Sequence, residues 1–82
     1  LQISELSQRL NSWLHQLPER HREILSRRFG LNGYDSETLE NVGRAIGLTR
    51  ERVRQIQIEA LKKLKSIIGR DGVARDIFAE FN

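Results

Sequence analysis

Gly47-Leu48-Thr49-Arg50-Glu51-Arg52-Val53-Arg54-Gln55-Ile56 is the stretch from which the rest of this chain can be read. Gly47 can adopt the left-handed conformation that ends a helix, and Thr49 can cap the next one through its hydroxyl. From Arg50 onward, helical spacing separates two faces. Arg50 and Arg54 are four residues apart, as are Glu51 and Gln55, so these side chains share one broad face. Val53, Ile56, Ala60, Leu61 and Leu64 form a stripe on the opposite side, suited to a core.

The polar side chains are of types that read base edges. Arginine presents a fork of donors matching guanine O6 and N7. Glutamine pairs with adenine N6 and N7, and glutamate accepts from cytosine N4. Taken alone, mixed charges on a helix ordinarily mean a solvated face. Here they open a helix that follows a tight turn and a short apolar helix. That is the arrangement of a helix-turn-helix whose second helix enters the major groove, its positive dipole end toward the phosphates. Arg50, Glu51, Arg54 and Gln55 are therefore expected to read bases. Arg52 lies off that face and is expected at a phosphate, as is Thr38 at a helix N-terminus.

Upstream, Ile3, Leu6, Leu10, Trp13, Leu14 and Leu17 recur at three- and four-residue steps and predict an amphipathic helix, with Ser4 as its cap. Pro18 stops it and suits the first turn of the next. That second helix is expected from Glu19 to Arg28. Ile24, Leu25 and Phe29 form its buried side, and Gly30 ends it. Leu31 to Glu37 reads as a short connection with Gly33 and Asp35 as turn residues, Leu31 and Tyr34 folding back onto the core. Thr38 caps a third helix, Leu39 to Ile46, with Leu39, Val42 and Ile46 facing inward. Gly43 is expected to let the recognition helix approach closely, because glycine inside a helix costs about 1 kcal/mol and needs such a reason. The recognition helix runs from Arg50 until Gly69 and Gly72 break it. Val73, Ile77, Phe78 and Phe81 allow a last short helix, about 73–81, as a lid. No β pattern, internal repeat or low-complexity segment is visible.

The predicted architecture is thus all-α, a bundle of four to five helices with a helix-turn-helix over about 38–64. Its three-helix core is winged-helix-like but lacks a wing. At 82 residues, the chain is one small domain. It starts at Leu1 and contains no methionine, so it is expected to be a segment of a longer protein. The net charge is +3, yet Arg50 to Lys65 alone holds six basic and two acidic residues, a local excess of +4. Such a basic stripe is the footprint of phosphate binding. With no cysteine, disulfide scaffolds and thiolate metal sites are excluded. His15 and His21 are six apart without a second ligand at helical spacing, so no metal or other cofactor is expected. No apolar run reaches membrane-spanning length and no signal peptide is visible. No nucleophile–histidine pair, carboxylate pair or phosphate-cradling glycine loop suggests an enzyme.

Thr38-Leu39-Glu40-Asn41-Val42-Gly43 and Gly47 through Ile56 resemble region 4, the C-terminal promoter-reading region, of bacterial sigma-70-family sigma factors. Arg27-Arg28-Phe29-Gly30-Leu31-Asn32-Gly33-Tyr34 resembles the same family without a gap. The Arg-Arg-Phe-Gly-Leu run, the Gly-Tyr pair and the Gln57-Ile58-Glu59 continuation are most similar to the stationary-phase, general-stress type, sigma S. The similarity extends from about Leu10 to the C-terminus.

The resemblance implies that Arg50, Glu51, Arg54 and Gln55 touch bases of the minus-thirty-five promoter element, and that Arg20 contacts the DNA backbone. It implies binding of core RNA polymerase through a helix of the β-subunit flap. The flap helix would sit in a hydrophobic groove, for which Trp13, Leu14, Leu17 and Phe29 are candidates besides their role as core. It also implies that activators can touch the basic segment Lys62, Lys63 and Lys65, whose plain alternative is a solvated helix C-terminus. Anti-sigma factors are further implied partners. The domain would act as a monomer in the cytoplasm, on the nucleoid through RNA polymerase. Glu59 departs from primary sigma factors, which tend to carry a basic residue there, and its carboxylate would repel a backbone phosphate. Ile58 is a small anomaly, an apolar residue on the Arg54 side. Two other classes compete. One is the output domain of a dimeric, response-regulator-type transcription factor, which needs a symmetric pair of half-sites. The other is a protein-interaction module whose basic helix binds an acidic protein.

Overall fold

The computed structural model describes residues 3–71. The side chains of Ile3, Ser4 and Leu6 lie outside the described residues, as do Gly72 and the lid positions Val73, Ile77, Phe78 and Phe81. Four α-helices account for the secondary structure of the described residues: α1 (Ile3–His15), α2 (Glu19–Phe29), α3 (Leu39–Ile46) and α4 (Arg50–Arg70). No strand occurs among them. The all-α expectation and the helix-turn-helix, here α3, a turn at 47–49, and α4, both hold.

The helix ends follow from local chemistry. Pro18 is the N-cap of α2, in extended conformation, and its carbonyl accepts from the Arg22 amide at 3.0 Å. A proline donates no amide, so nothing is lost by placing it ahead of the first turn. Thr38 and Thr49 cap α3 and α4. Each hydroxyl accepts from the amide three residues on, Asn41 and Arg52, at 3.1 Å. Gly47 ends α3 at φ +77°, a conformation that disfavours any residue with a Cβ.

Two apolar clusters hold the bundle. Trp13, Leu14, Leu17, Leu25, Ala60 and Ile67 form the first, with Leu10, Leu31, Leu64 and Ile68 packed against it. Ile24, Val42, Val53 and Ile56 form the second, with Leu39, Ile46 and Leu48 around it. The long helix α4 contributes to both and is the spine of the fold. Near its C-terminal end the Trp13 indole N–H donates to the Asp71 carboxylate at 2.8 Å, tying α1 to the residue that caps α4. A buried indole needs such an acceptor.

Five expectations need correction, the first being that α1 already begins at Ile3, so Ser4 lies inside the helix instead of capping it. Gly69 does not break α4, which continues to Arg70. Ile67 is buried and Ile68 half-buried beside it, so packing outweighs the local cost of glycine. Phe29 is not part of the buried side of α2 but 47% exposed. Gly30 reverses the chain at φ +67°, and Leu31 rather than Phe29 reaches the Trp13 cluster. The Phe29 ring instead lies beneath the Arg28 guanidinium, 5.4 Å from its centroid. Tyr34 likewise stays at the surface under Arg27, 4.7 Å away, instead of folding into the core. Leu61, assigned to the core stripe, is 40% exposed. It stands about 100° around the helix from Ala60, beyond the arc that the other helices cover.

Candidate nucleic-acid interface

The first two turns of α4 are divided as the spacing predicts. Val53 is fully buried and Ile56 nearly so, which pins the helix to Ile24 and Val42. Arg50, Glu51, Arg54 and Gln55 are all exposed on the far side. The turn that presents them is tight for a specific reason. A Cβ added at Gly43 would meet the carbonyl oxygen of Leu48, closer than real side chains approach one another. The same region carries the hydrogen bond from the Leu48 amide to the Gly43 carbonyl at 2.9 Å. Gly43 thus admits the backbone of the turn, rather than the body of α4, against α3. Glu40, Gly43, Arg44, Gly47, Leu48, Thr49 and Arg50 line an open depression beside that turn.

Within this exposed polar face, Arg54 and Glu51 are joined. Arg54 Nε donates to Glu51 Oε2 at 3.0 Å, and Arg54 Nη2 donates to Oε1 at 2.6 Å. The hydrogen bond from Arg54 holds the Glu51 carboxyl below the ordinary carboxylate range. Slight desolvation opposes this, and the charges of Arg54 and Arg50 reinforce it. The same bond raises Arg54 above its ordinary value. The pairing uses the Nε edge of the guanidinium and leaves Nη1 free of any bond to Glu51.

The expected phosphate contacts lie on three different helix ends. Arg52 is exposed on the flank of the polar face, and its Nη1 donates to Gln55 Oε1 at 3.4 Å. Thr38 sits at the N-terminus of α3 with its hydroxyl already used as a cap. Arg20 lies in the first turn of α2, half-exposed, 3.6 Å from Glu23. The structure therefore brings Arg50, Glu51, Arg52, Arg54 and Gln55 onto one helix end, and places Arg20 and Thr38 on two other helix N-termini. Lys62, Lys63 and Lys65 are exposed further along α4. Trp13, Leu14 and Leu17 are consumed by the core, so of the four apolar groove candidates only Phe29 offers exposed surface. Glu59 is held on the α2 side, its carboxylate 3.5 Å from His21 Nε2. That separation is too long for a well-made bond, and both His21 ring nitrogens are buried without a hydrogen-bond partner.

One residue of consequence was passed over in the sequence. The sequence marks Arg28 only as the expected end of the second helix and as part of the Arg-Arg-Phe-Gly-Leu run. Its Nε donates to Gln57 Oε1 at 3.0 Å and its Nη1 to the Glu37 carbonyl at 2.8 Å. It thereby ties α2, the 30–38 connection and α4 together, and so sets how the helix-turn-helix sits on the bundle. Its place one turn after buried Ile24 was the available signal. Among the described residues, no three His, Asp or Glu side chains cluster as metal ligands, and no helix is long and apolar enough to cross a membrane.

Comparison with known proteins decides the family. Residues 13–66 match the family "Sigma-70, region 4". The chain is 53% identical over 73 residues to RNA polymerase sigma factor RpoS of Coxiella burnetii, covering 89% of this chain and 21% of that protein. It is 47% identical over 60 residues to sigma factor SigA of Listeria monocytogenes, 73% of this chain and 16% of that protein. It is 40% identical over 58 residues to SigA4 of Synechococcus elongatus, 71% of this chain and 19% of that protein.

The chain belongs to the sigma-70 family, region 4.

Within that family it is RpoS-like. It spans about a fifth of the length of these relatives. The matched residues span α2, α3 and α4 as far as Ser66, so the region-4 match and the helix-turn-helix coincide.

Proposed function

We propose that this domain binds the minus-thirty-five element of promoter DNA as part of a sigma factor that brings core RNA polymerase to the start of transcription. One observation carries the reading. The first two turns of α4 expose Arg50, Glu51, Arg54 and Gln55 together, while Val53 and Ile56 from the same turns anchor the helix. Such a helix end enters the major groove, where arginine reads guanine and glutamine reads adenine. Glu51 accepts from cytosine or, in the free protein, orients Arg54. Arg20, Thr38 and Arg52 set the register through phosphates. The role is non-covalent: binding here positions an enzyme that lies elsewhere.

Further partners are proposed on the same footing. They are the β-subunit flap of RNA polymerase, activators at Lys62, Lys63 and Lys65, and anti-sigma factors. The domain acts as a monomer on one asymmetric site, in the cytoplasm. The response-regulator reading finds no support among the relatives described.

The test is fluorescence anisotropy of the domain against a duplex carrying TTGACA and a scrambled duplex, at two salt concentrations, with Arg54→Ala alongside. Selective binding lost in Arg54→Ala supports base reading. Removal of one bidentate contact is expected to cost about 1–3 kcal/mol and to relax specificity at that base pair. Equal, salt-sensitive binding to both duplexes would reduce α4 to a phosphate-binding helix.

A further inference from the structure

Two of the large apolar side chains left exposed, Ile58 at 38% and Leu61 at 40%, lie on α4 just beyond the polar reading face. Each helical residue turns about 100° and rises about 1.5 Å. Ile58 therefore falls between Arg54 and Gln55 in projection and about 6 Å further along the axis. It is the next side chain on the face formed by Arg50, Glu51, Arg54 and Gln55. Its neighbours Gln57 and Glu59 are turned away, Gln57 to Arg28 and Glu59 to His21. Lys62 and Lys65 follow, exposed, on the same side of the helix. The apolar group is thus bounded by base-reading residues on one side and by cations on the other.

In the major groove, one base carries an apolar group at its edge, the C5-methyl of thymine. We propose that Ile58 reads a thymine methyl near the base pair met by Arg54. This rests on the base-reading assignment above. The charge pattern favours this occupant over a protein. An anionic backbone beside the groove matches the exposed Lys62 and Lys65, and the stripe is continuous with the proposed DNA face. Leu61 lies about 10 Å along the axis from Arg54, beyond reach of the same base edges.

The test replaces each thymine of the TTGACA duplex, on both strands, by deoxyuridine, one position at a time. Deoxyuridine pairs identically and lacks only the methyl. Binding of the 82-residue chain is read by anisotropy, with far-UV circular dichroism as the check on folding. For the unaltered chain, one position should weaken binding about three- to fourfold, the value of one buried methyl group. Ile58→Ala should bind the unmodified duplex more weakly by a similar factor and lose sensitivity at that position. Its salt dependence should not change, because no charge is removed. Ile58→Val should keep most of the sensitivity, and Leu61→Ala all of it.

The proposal falls if Ile58→Ala retains the full methyl effect, or if the unaltered chain selects the hexamer yet ignores every methyl. The stripe would then belong to a protein partner. If the unaltered chain does not distinguish the unmodified hexamer from the scrambled duplex, the base-reading assignment itself fails and the proposal with it. The unmodified pair of duplexes separates the two failures.

Discussion

The two apolar clusters of this domain do different work with different materials. The cluster under the start of α4 is built from Ile24, Val42, Val53 and Ile56, branched aliphatic side chains drawn from α2, α3 and α4. The other centres on Trp13 and joins α1 and α2 to the middle and end of α4. The first holds a turn of fixed geometry. The second holds a long helix against a partner distant in sequence, and closes with the Trp13–Asp71 hydrogen bond. One lesson is that the start of α4 is positioned by α2 and α3, whereas its far end is held by α1 and the Trp13 cluster. Small domains have little surplus stability, so both contributions matter.

The largest test removes the centre of the second cluster. Trp13→Ala should destabilise the domain by about 3–5 kcal/mol in urea titrations, the range for large-to-small changes at buried aromatics. Hydrogen exchange should show α1 losing protection before α3, because no described α1 side chain belongs to the cluster under the start of α4. Equal loss in both helices would mean that the two clusters act as one.

Next is the turn. Gly→Ala in an ordinary helix interior gains about 1 kcal/mol. Gly43→Ala should instead lose about 1–3 kcal/mol, since the added methyl meets the Leu48 carbonyl and the backbone must shift. Calorimetric melting would reveal the sign, and a gain would show that the turn is not tightly held. A smaller effect follows from the caps. Thr49→Ala should cost about 1 kcal/mol through the amide of Arg52 left without its acceptor. It should also weaken DNA binding beyond the stability loss, if the first turn of α4 needs to be ordered.

The smallest effect is electrostatic. Glu51 has its carboxyl pKa lowered by Arg54, so its contribution is present above the unfolded-state pKa and lost as pH falls through the folded one. Melting temperatures of the unaltered chain and Glu51→Gln should differ at neutral pH. The gap should close as pH drops through and below the carboxylate range, about pH 4. Because the pair is solvent-exposed, the gap should also shrink with added salt. A gap that persists in acid would trace to something other than the Glu51 charge.

Much of this was legible before the fold was known. Thr38, Gly47 and Thr49 announced their caps and turn because those roles depend on neighbours within four residues. Val53 and Ile56 announced the buried side of α4 through spacing alone. What was misread depended on partners far away in the chain. Phe29 and Leu61 have apolar periodicity, but the bundle covers only part of each helix, and where that cover ends is not a local property. Gly69 looked like a stop because its intrinsic cost is local, while the packing of Ile67 against the Trp13 cluster is not. Arg28 escaped notice because its acceptors, Gln57 and the Glu37 carbonyl, are set by the path of the connection.

By itself, then, the order of residues determined the helices, the helix-turn-helix and the identity of the polar face on α4, since each rests on short-range spacing and capping. Tertiary structure alone decided which apolar residues are spent on the core and which remain outside. That choice is made by the shape of the whole bundle: a helix face is buried only where another element arrives to cover it. Ile58 remained uncovered, on the side where the arginines point.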